Sequence, residues 1–80
     1  MINVKNKALI KSLGERIRRL RNEKGISQED LANDADIPLS QIGRIERGET
    51  NPTISSLYVI ALALDIELKN LFDIKARKGS

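Results

Sequence analysis

The chain has 80 residues, enough for one small domain, and its lack of cysteine and histidine removes disulfides, the usual nucleophile–base pairs and the common zinc ligands. We therefore predict no enzyme, no metal and no cofactor. No apolar run reaches the length of a signal peptide or a membrane span, which favours a cytoplasmic protein without a membrane partner. The net charge of +3 is only a weak indication of a nucleic-acid partner.

The distribution of charge is more informative than its sum. Eight basic residues lie between Lys5 and Lys24 against two acidic ones, whereas residues 29–36 hold four acids and no base. A general polyanion binder would not carry such an acidic block in mid-chain. The basic segment is explained about equally well by nucleic-acid binding and by an ordinary solvated charged surface. Tyr58 and Phe72 are the only aromatic residues. Since single-strand and RNA binding use aromatic stacking platforms, a nucleic-acid partner would be duplex DNA.

Five helical segments and no strand are predicted, and the first two are set by apolar spacing and capping residues. The first carries one apolar face, formed by Ile10, Leu13, Ile17 and Leu20, and Gly25 is its stop signal. The second starts at the N-cap Ser27, with Asp30 three residues later and Ile26 and Leu31 placed for a hydrophobic staple. It ends near residue 34 or 35.

Three further helices complete the prediction. A tight connection leads to Pro38, which suits the first position of a third helix that runs to about Arg47 and stops at Gly48. The fourth helix is capped by Thr53, and its core residues are expected to be Ile54, Leu57, Ile60, Ala61 and Leu64. A short fifth helix runs from Leu68 to about residue 73. The second and third helices are both short and are joined by a tight connection, so they should cross steeply, as in a helix-turn-helix.

The third helix divides into two faces when each residue is rotated by about 100°. Ile42, Ile45 and Glu46 fall on the inward side, whereas Ser40, Arg44 and Arg47 point outward, with Leu39 and Gln41 on the flanks. A major groove admits one helix, and arginine is suited to guanine. Gln28, first in the second helix, is placed to meet a phosphate. We interpret the mid-helix Gly43 as a tolerated imperfection; the alternative is that it gives clearance for a close DNA backbone or a neighbouring helix.

The segment from Leu20 to Ala32, LRNEKGISQEDLA, resembles the first half of the XRE/Cro/C1-type helix-turn-helix family. The segment IGRIERG at residues 42–48, followed by NPT at 51–53, is similar to the second half at the family's spacing. The resemblance covers about residues 13–72. It implies a compact five-helix bundle like the DNA-binding domains of phage repressors, with the third helix as the recognition helix.

The resemblance also implies roles for individual residues. Gln28 would contact phosphate and brace the third helix. The positions that match base-facing ones are Leu39, Ser40 and Arg44. Those that match phosphate-facing ones are Gln41 and Arg47, and Asn51 also belongs to the expected DNA-binding set. Arg21 and Glu46 match a partly buried ion pair. Departures from the pattern are Pro38 in place of a Ser or Thr cap, Leu39 at an often polar position, Glu49 where lysine is frequent, and Asp65 in place of glycine.

These features predict a transcriptional regulator that binds double-stranded DNA as a homodimer, without a small-molecule ligand. The apolar residues proposed for the dimer interface are Tyr58, Val59, Leu62, Leu68, Phe72 and Ile74. The alternative is an antitoxin-like or scaffold role, in which the same residues bind another protein; some of them would otherwise complete the core. The domain is expected to span 13–73, after an N-terminal extension at 1–12 that is partly helical, with a disordered polar tail at 74–80.

Overall fold

The computed structural model describes residues 6–74, in which the regular elements are all helices joined by turns and loops, without a strand in that range. The elements are α1 (Lys7–Lys24), α2 (Gln28–Ala35), α3 (Leu39–Glu46), α4 (Ile54–Ala63) and a final 3-10 helix (Leu68–Phe72). The all-helical class is confirmed, but the expected fifth α-helix is a 3-10 helix. Its five residues have no side-chain cap at Glu67, and such tight helices occur in short pieces. The predicted disorder of 75–80 lies outside the described residues.

The helix starts follow from local hydrogen bonds. At α2 the Ser27 hydroxyl accepts from the Asp30 amide at 2.9 Å, and the Asp30 carboxylate accepts from the Ser27 amide at 3.1 Å. The Thr53 hydroxyl caps α4 in the same way, accepting from the Ser56 amide at 3.0 Å. Pro38 was predicted at the first helical position and instead lies at the N-cap of α3, because its ψ of 141° is extended. The proline thus has no side-chain acceptor to offer the helix.

A residue with left-handed backbone closes each of the four α-helices, at the C-cap of α1 and α2 and one residue beyond the C-cap of α3 and α4. The left-handed residues are Gly25, Asp36, Gly48 and Asp65, with φ of 73°, 57°, 72° and 59°. After three of the helices the next residue is an isoleucine that packs onto the core: Ile26, Ile37 and Ile66. After α3 it is Glu49, whose amide donates to the Arg44 carbonyl at 2.9 Å. This one helix end therefore carries a charged side chain in place of an apolar one.

The core lies where α3 meets α1 and α2, and where α4 meets α2 and the 3-10 helix. Its largest fully buried apolar side chains are Ile17, Leu31, Ile42, Ile45, Ile60, Leu64 and Leu71. The expected core position Ile54 is wrong: this first residue of α4 is 63% exposed, since it precedes the turn that enters the core. None of the helices in residues 6–74 has the length and apolar character needed to cross a membrane.

Gly14 allows α1 to approach the end of α3 closely. A Cβ atom at this position would collide with the Ile45 carbonyl oxygen and would lie 2.8 Å from the Glu46 carbonyl oxygen. Both obstacles are backbone atoms, which cannot rotate away as a side chain can. No role for Gly14 was predicted from the sequence, because its close neighbours come from a helix about thirty residues later in the chain. This contact fixes α3 against α1.

Candidate nucleic-acid interface

The two faces of α3 differ as the helical rotation predicts. Ile42, Ile45 and Glu46 are buried at 1%, 1% and 2% exposure. Facing outward are the exposed residues of this helix and its C-cap: Leu39, Ser40, Arg44 and Arg47. Gln41 is half-buried on the flank, and Asn51 is exposed in the loop that follows. The structure thus presents one short helix with two arginines, a hydroxyl and an apolar side chain on its free face.

A buried carboxylate joins α3 to the two preceding helices. Arg21 of α1 donates from Nε to Glu46 Oε2 at 2.6 Å and from Nη2 to Oε1 at 3.0 Å, which is a bidentate pair. Gln28, at the start of α2, donates from Nε2 to Glu46 Oε1 at 2.9 Å. Arg18 approaches the same oxygen at 3.4 Å from the solvent side. One side chain of α3 therefore holds the first residue of α2 and the inner arginine of α1.

The Glu46 carboxylate stays ionised despite its burial. Burial alone would raise the pKa of Glu46, but the hydrogen bonds from Arg21 and Gln28 and the charge of Arg21 outweigh it, so that the pKa lies below its ordinary value. Arg21 also donates from Nη1 to the Ile26 carbonyl at 2.9 Å. No buried side-chain nitrogen or oxygen within residues 6–74 lacks a hydrogen-bond partner. The network is therefore complete, as buried charges require.

Directly after Glu46, at the C-cap of α3, Arg47 is engaged within the chain. Its Nε lies 2.8 Å from Glu49 Oε2, and its Nη2 donates to Glu49 Oε1 at 3.2 Å. The hydrogen bond from Arg47 lowers the pKa of Glu49, and Glu49 raises the pKa of Arg47. The guanidinium lies over Gly43: a Cβ atom at Gly43 would be 2.9 Å from Arg47 Nη1. The glycine thus gives room to this side chain, a relation that the sequence analysis did not identify.

The apolar residues proposed for a dimer interface are divided by the structure into two groups. Tyr58, Leu62 and Phe72 are exposed at 53%, 59% and 44%. Val59, Leu68 and Ile74 are partly buried and pack against the core. Ile54, which the sequence analysis placed in the core, precedes Tyr58 and Leu62 at intervals of four residues, so that the three share one stripe of α4. The free apolar surface therefore centres on this stripe and on Phe72.

The described residues contain no group of three side chains that could hold a metal ion. What the geometry offers is a short helix held by its buried face, with a polar and basic free face about two turns long. The first residue of the preceding helix is fixed against its end. This arrangement can present side chains to the edges of bases in a groove while backbone groups and polar side chains at the flanks meet phosphates.

Comparison with known proteins places this geometry in a family. The family model described as helix-turn-helix, HTH_3, matches residues 17–71. The transcriptional regulator SinR of Bacillus subtilis is 39% identical over 64 residues, which are 79% of this chain and 58% of SinR, so the chain spans little more than half of that curated relative.

Two solved structures share the fold at substantial identity. The restriction-modification controller protein C.AhdI from Aeromonas hydrophila is 41% identical with a TM-score of 0.78, over 79% of this chain and 96% of the controller protein. SinR, solved in complex with DNA, is 39% identical with a TM-score of 0.72, over 76% of this chain and 98% of the solved one. The expected resemblance to the XRE/Cro/C1 type is confirmed, and the chain belongs to the HTH_3 helix-turn-helix family.

Proposed function

We propose that this protein is a transcriptional regulator that binds double-stranded DNA sequence-specifically and acts in the cytoplasm as a repressor or autoregulator. The observation that carries the proposal is the division of α3. Its apolar and carboxylate face is locked into the core, whereas Ser40 and Arg44 are free on the opposite face. SinR, a relative at 39% identity, is a regulator solved in complex with DNA, which supports the same role for this chain.

In the proposed complex α3 enters the major groove. Arg44 reads guanine through paired hydrogen bonds to O6 and N7, Ser40 contacts a neighbouring base edge, and the half-exposed Leu39 contacts a thymine methyl group. These three side chains specify the sequence. They lie within two turns of one helix, so one protomer reads only a few base pairs.

Phosphates on the two sides of the groove are met by polar and basic residues that flank α3: Gln28, Gln41, Arg47 and Asn51. Gln28 uses its side-chain amide nitrogen on Glu46, and its backbone amide at the N-terminus of α2 would donate to a phosphate. Such contacts position the protein on the duplex without reading sequence.

Specific binding in a genome is proposed to need two copies of the chain. The stripe of Ile54, Tyr58 and Leu62, together with the exposed Phe72, offers apolar surface of the kind that marks an interface. Two-fold pairing through this surface would place two recognition helices about 34 Å apart, one turn of the duplex. The operator would be an inverted repeat with half-sites about 10 bp apart, centre to centre. An antitoxin-like role would use the same surface to hold a different protein.

Selection of bound duplexes from a random library, followed by titration of the selected site, tests the proposal. We expect an inverted repeat, and log affinity that falls linearly with log salt with a slope near −0.9 for each phosphate neutralised. Arg44→Ala should cost about 1–3 kcal/mol at one base position of each half-site and relax the preference there. Arg19→Ala removes the same charge from an exposed position on α1 and serves as the matched control.

The outcomes separate the candidate functions. Affinity that is independent of salt between about 50 and 200 mM, or selection that enriches no site, would refute sequence-specific DNA binding. A selected single half-site together with a monomeric protein in light scattering would refute the homodimer and favour the protein-binding alternative. If Arg19→Ala relaxed base preference as much as Arg44→Ala did, α3 would not be the reading helix.

A further inference from the structure

We propose that Glu49 is an intramolecular competitor of DNA phosphate for Arg47, and so sets how strongly this arginine contributes to binding. The proposal rests on the DNA-binding function proposed above and adds to it a residue that tunes affinity by occupying a DNA-contacting side chain.

The geometry of the pair supports this role. The two oxygens of Glu49 face two nitrogens of Arg47 at 2.8 and 3.2 Å, which is the paired arrangement that a phosphate would also use. Both side chains are about half exposed, at 51% and 53%. The pair is therefore open to solvent and to an approaching duplex. A phosphate has to displace the carboxylate rather than find a vacant guanidinium.

The backbone holds Glu49 in this position. Its amide donates to the Arg44 carbonyl as part of the closing turn of α3, and Gly48 supplies the left-handed residue that this turn requires. At the ends of the other three α-helices the equivalent residue is an isoleucine anchored in the core, whereas Glu49 is directed to Arg47. Since only side-chain rotation separates the paired from the released state, exchange with phosphate needs no change of fold.

Gly43 supports the arrangement from the other side. Because it has no side chain, the Arg47 guanidinium lies back along α3, with Nη1 2.9 Å from where a Cβ would be. The released carboxylate would meet cationic surroundings, since Lys7 and Lys11 of α1 line the same cleft as Arg47 and Glu49. The exchange thus moves Arg47 to the phosphate and leaves Glu49 beside two lysines.

Titration of a 30-bp duplex of random sequence between about 50 and 200 mM salt tests the competition, because phosphate contacts do not depend on sequence. Four proteins are compared with the original chain: Glu49→Gln, Arg47→Ala, the double variant, and Glu23→Gln. The last removes the same charge from an exposed residue of α1. We expect Glu49→Gln to bind roughly two- to fivefold more tightly per protomer, the range of exposed ion pairs. Its salt slope should steepen by about 0.9 for the phosphate gained.

The coupling between the two residues decides the interpretation. The gain from Glu49→Gln should vanish when Arg47 is alanine, and Arg47→Ala should cost more in the Glu49→Gln background than in the original chain. An equal gain with and without Arg47, or an equal gain from Glu23→Gln, would overturn the proposal and assign the effect to net charge. If the original chain and Glu49→Gln both leave the duplex unbound at 50 mM salt, the DNA-binding function itself is refuted. If the original chain binds the duplex but Glu49→Gln binds no more tightly, only the proposed role of Glu49 is refuted.

Discussion

Replacement of Glu46 by alanine should destabilise the fold as well as DNA binding. The carboxylate is 2% exposed and accepts hydrogen bonds from three helix-borne side chains: Arg21, Gln28 and Arg18. Without it, Gln28 and Arg18 can turn to water, since neither is fully buried. Arg21, at 9% exposure, cannot turn to water in this way and retains only the Ile26 carbonyl as a hydrogen-bond acceptor.

The expected cost follows from that unpaired charge. Removal of one partner of a buried ion pair costs about 3–5 kcal/mol, because the remaining charge stays in a poorly solvated site. At 0.05–0.15 kcal/mol per residue, a chain of this length has an unfolding free energy of about 4–12 kcal/mol. The substitution therefore removes a large share of the total, and where the cost exceeds the unfolding free energy, as about 5 kcal/mol does against about 4, the variant is largely unfolded at room temperature.

Urea denaturation followed by circular dichroism at 222 nm measures the effect, and a double variant provides the control. In Arg21→Met combined with Glu46→Leu no charge is left unpaired, so this protein should lose far less stability than Glu46→Ala alone. The difference in unfolding free energy between this double variant and Glu46→Ala separates the cost of an unpaired buried guanidinium from the cost of lost packing. A midpoint shift equivalent to less than about 1 kcal/mol for Glu46→Ala would refute the reasoning and show that the pair behaves as a surface one.

Three further outcomes are expected. Gly14→Ala should lower the unfolding free energy by roughly 1–3 kcal/mol in the same assay, because its Cβ meets the backbone of α3; an open helical site would gain about 1 kcal/mol from the change. Because the pKa of Glu46 is lowered in the folded protein, its contribution to stability is complete above its unfolded pKa and is lost as pH falls through the folded value; acid titration of Glu46→Gln should show a shallower loss below about pH 4.3. Leu62→Ser with Phe72→Ser should give folded monomers by light scattering with unchanged helical circular dichroism, and outright unfolding would place these exposed residues in the core after all.

Features governed by neighbouring residues in the chain were predictable from the sequence. The N-caps Ser27 and Thr53 and the stop at Gly25 are local signals, and the structure has helices that begin and end at them. The inward position of Glu46 also followed from rotation along α3, because that helix is short and strongly two-sided. Asp65, which replaces the glycine of the family pattern, has a left-handed φ of 59°.

Features that depend on distant contacts were not predictable in the same way. Nothing beside Gly14 in the sequence indicates that a carbonyl group of α3 will lie against it. Ile54 fits the apolar spacing of α4, yet it is exposed because the core begins one turn later. Val59 and Leu68 looked equivalent to Leu62 as apolar surface, and only the packing of the 3-10 helix against α4 distinguishes them. The Arg47–Glu49 pair needed the turn geometry that Gly48 creates.

The docking of α3 has a consequence for its hydrogen exchange. An eight-residue helix is too short to persist in water by itself, so α3 keeps its form only while Gly14 and the Glu46 network hold it against α1 and α2. Partial opening would expose a charged pair together with the core, and the amides of α3 should therefore exchange through global unfolding. If α3 reads the operator as proposed, a helix that cannot change its own shape requires the duplex to adapt. Operator preference should then extend to base pairs whose bendability and groove width matter although no side chain touches them.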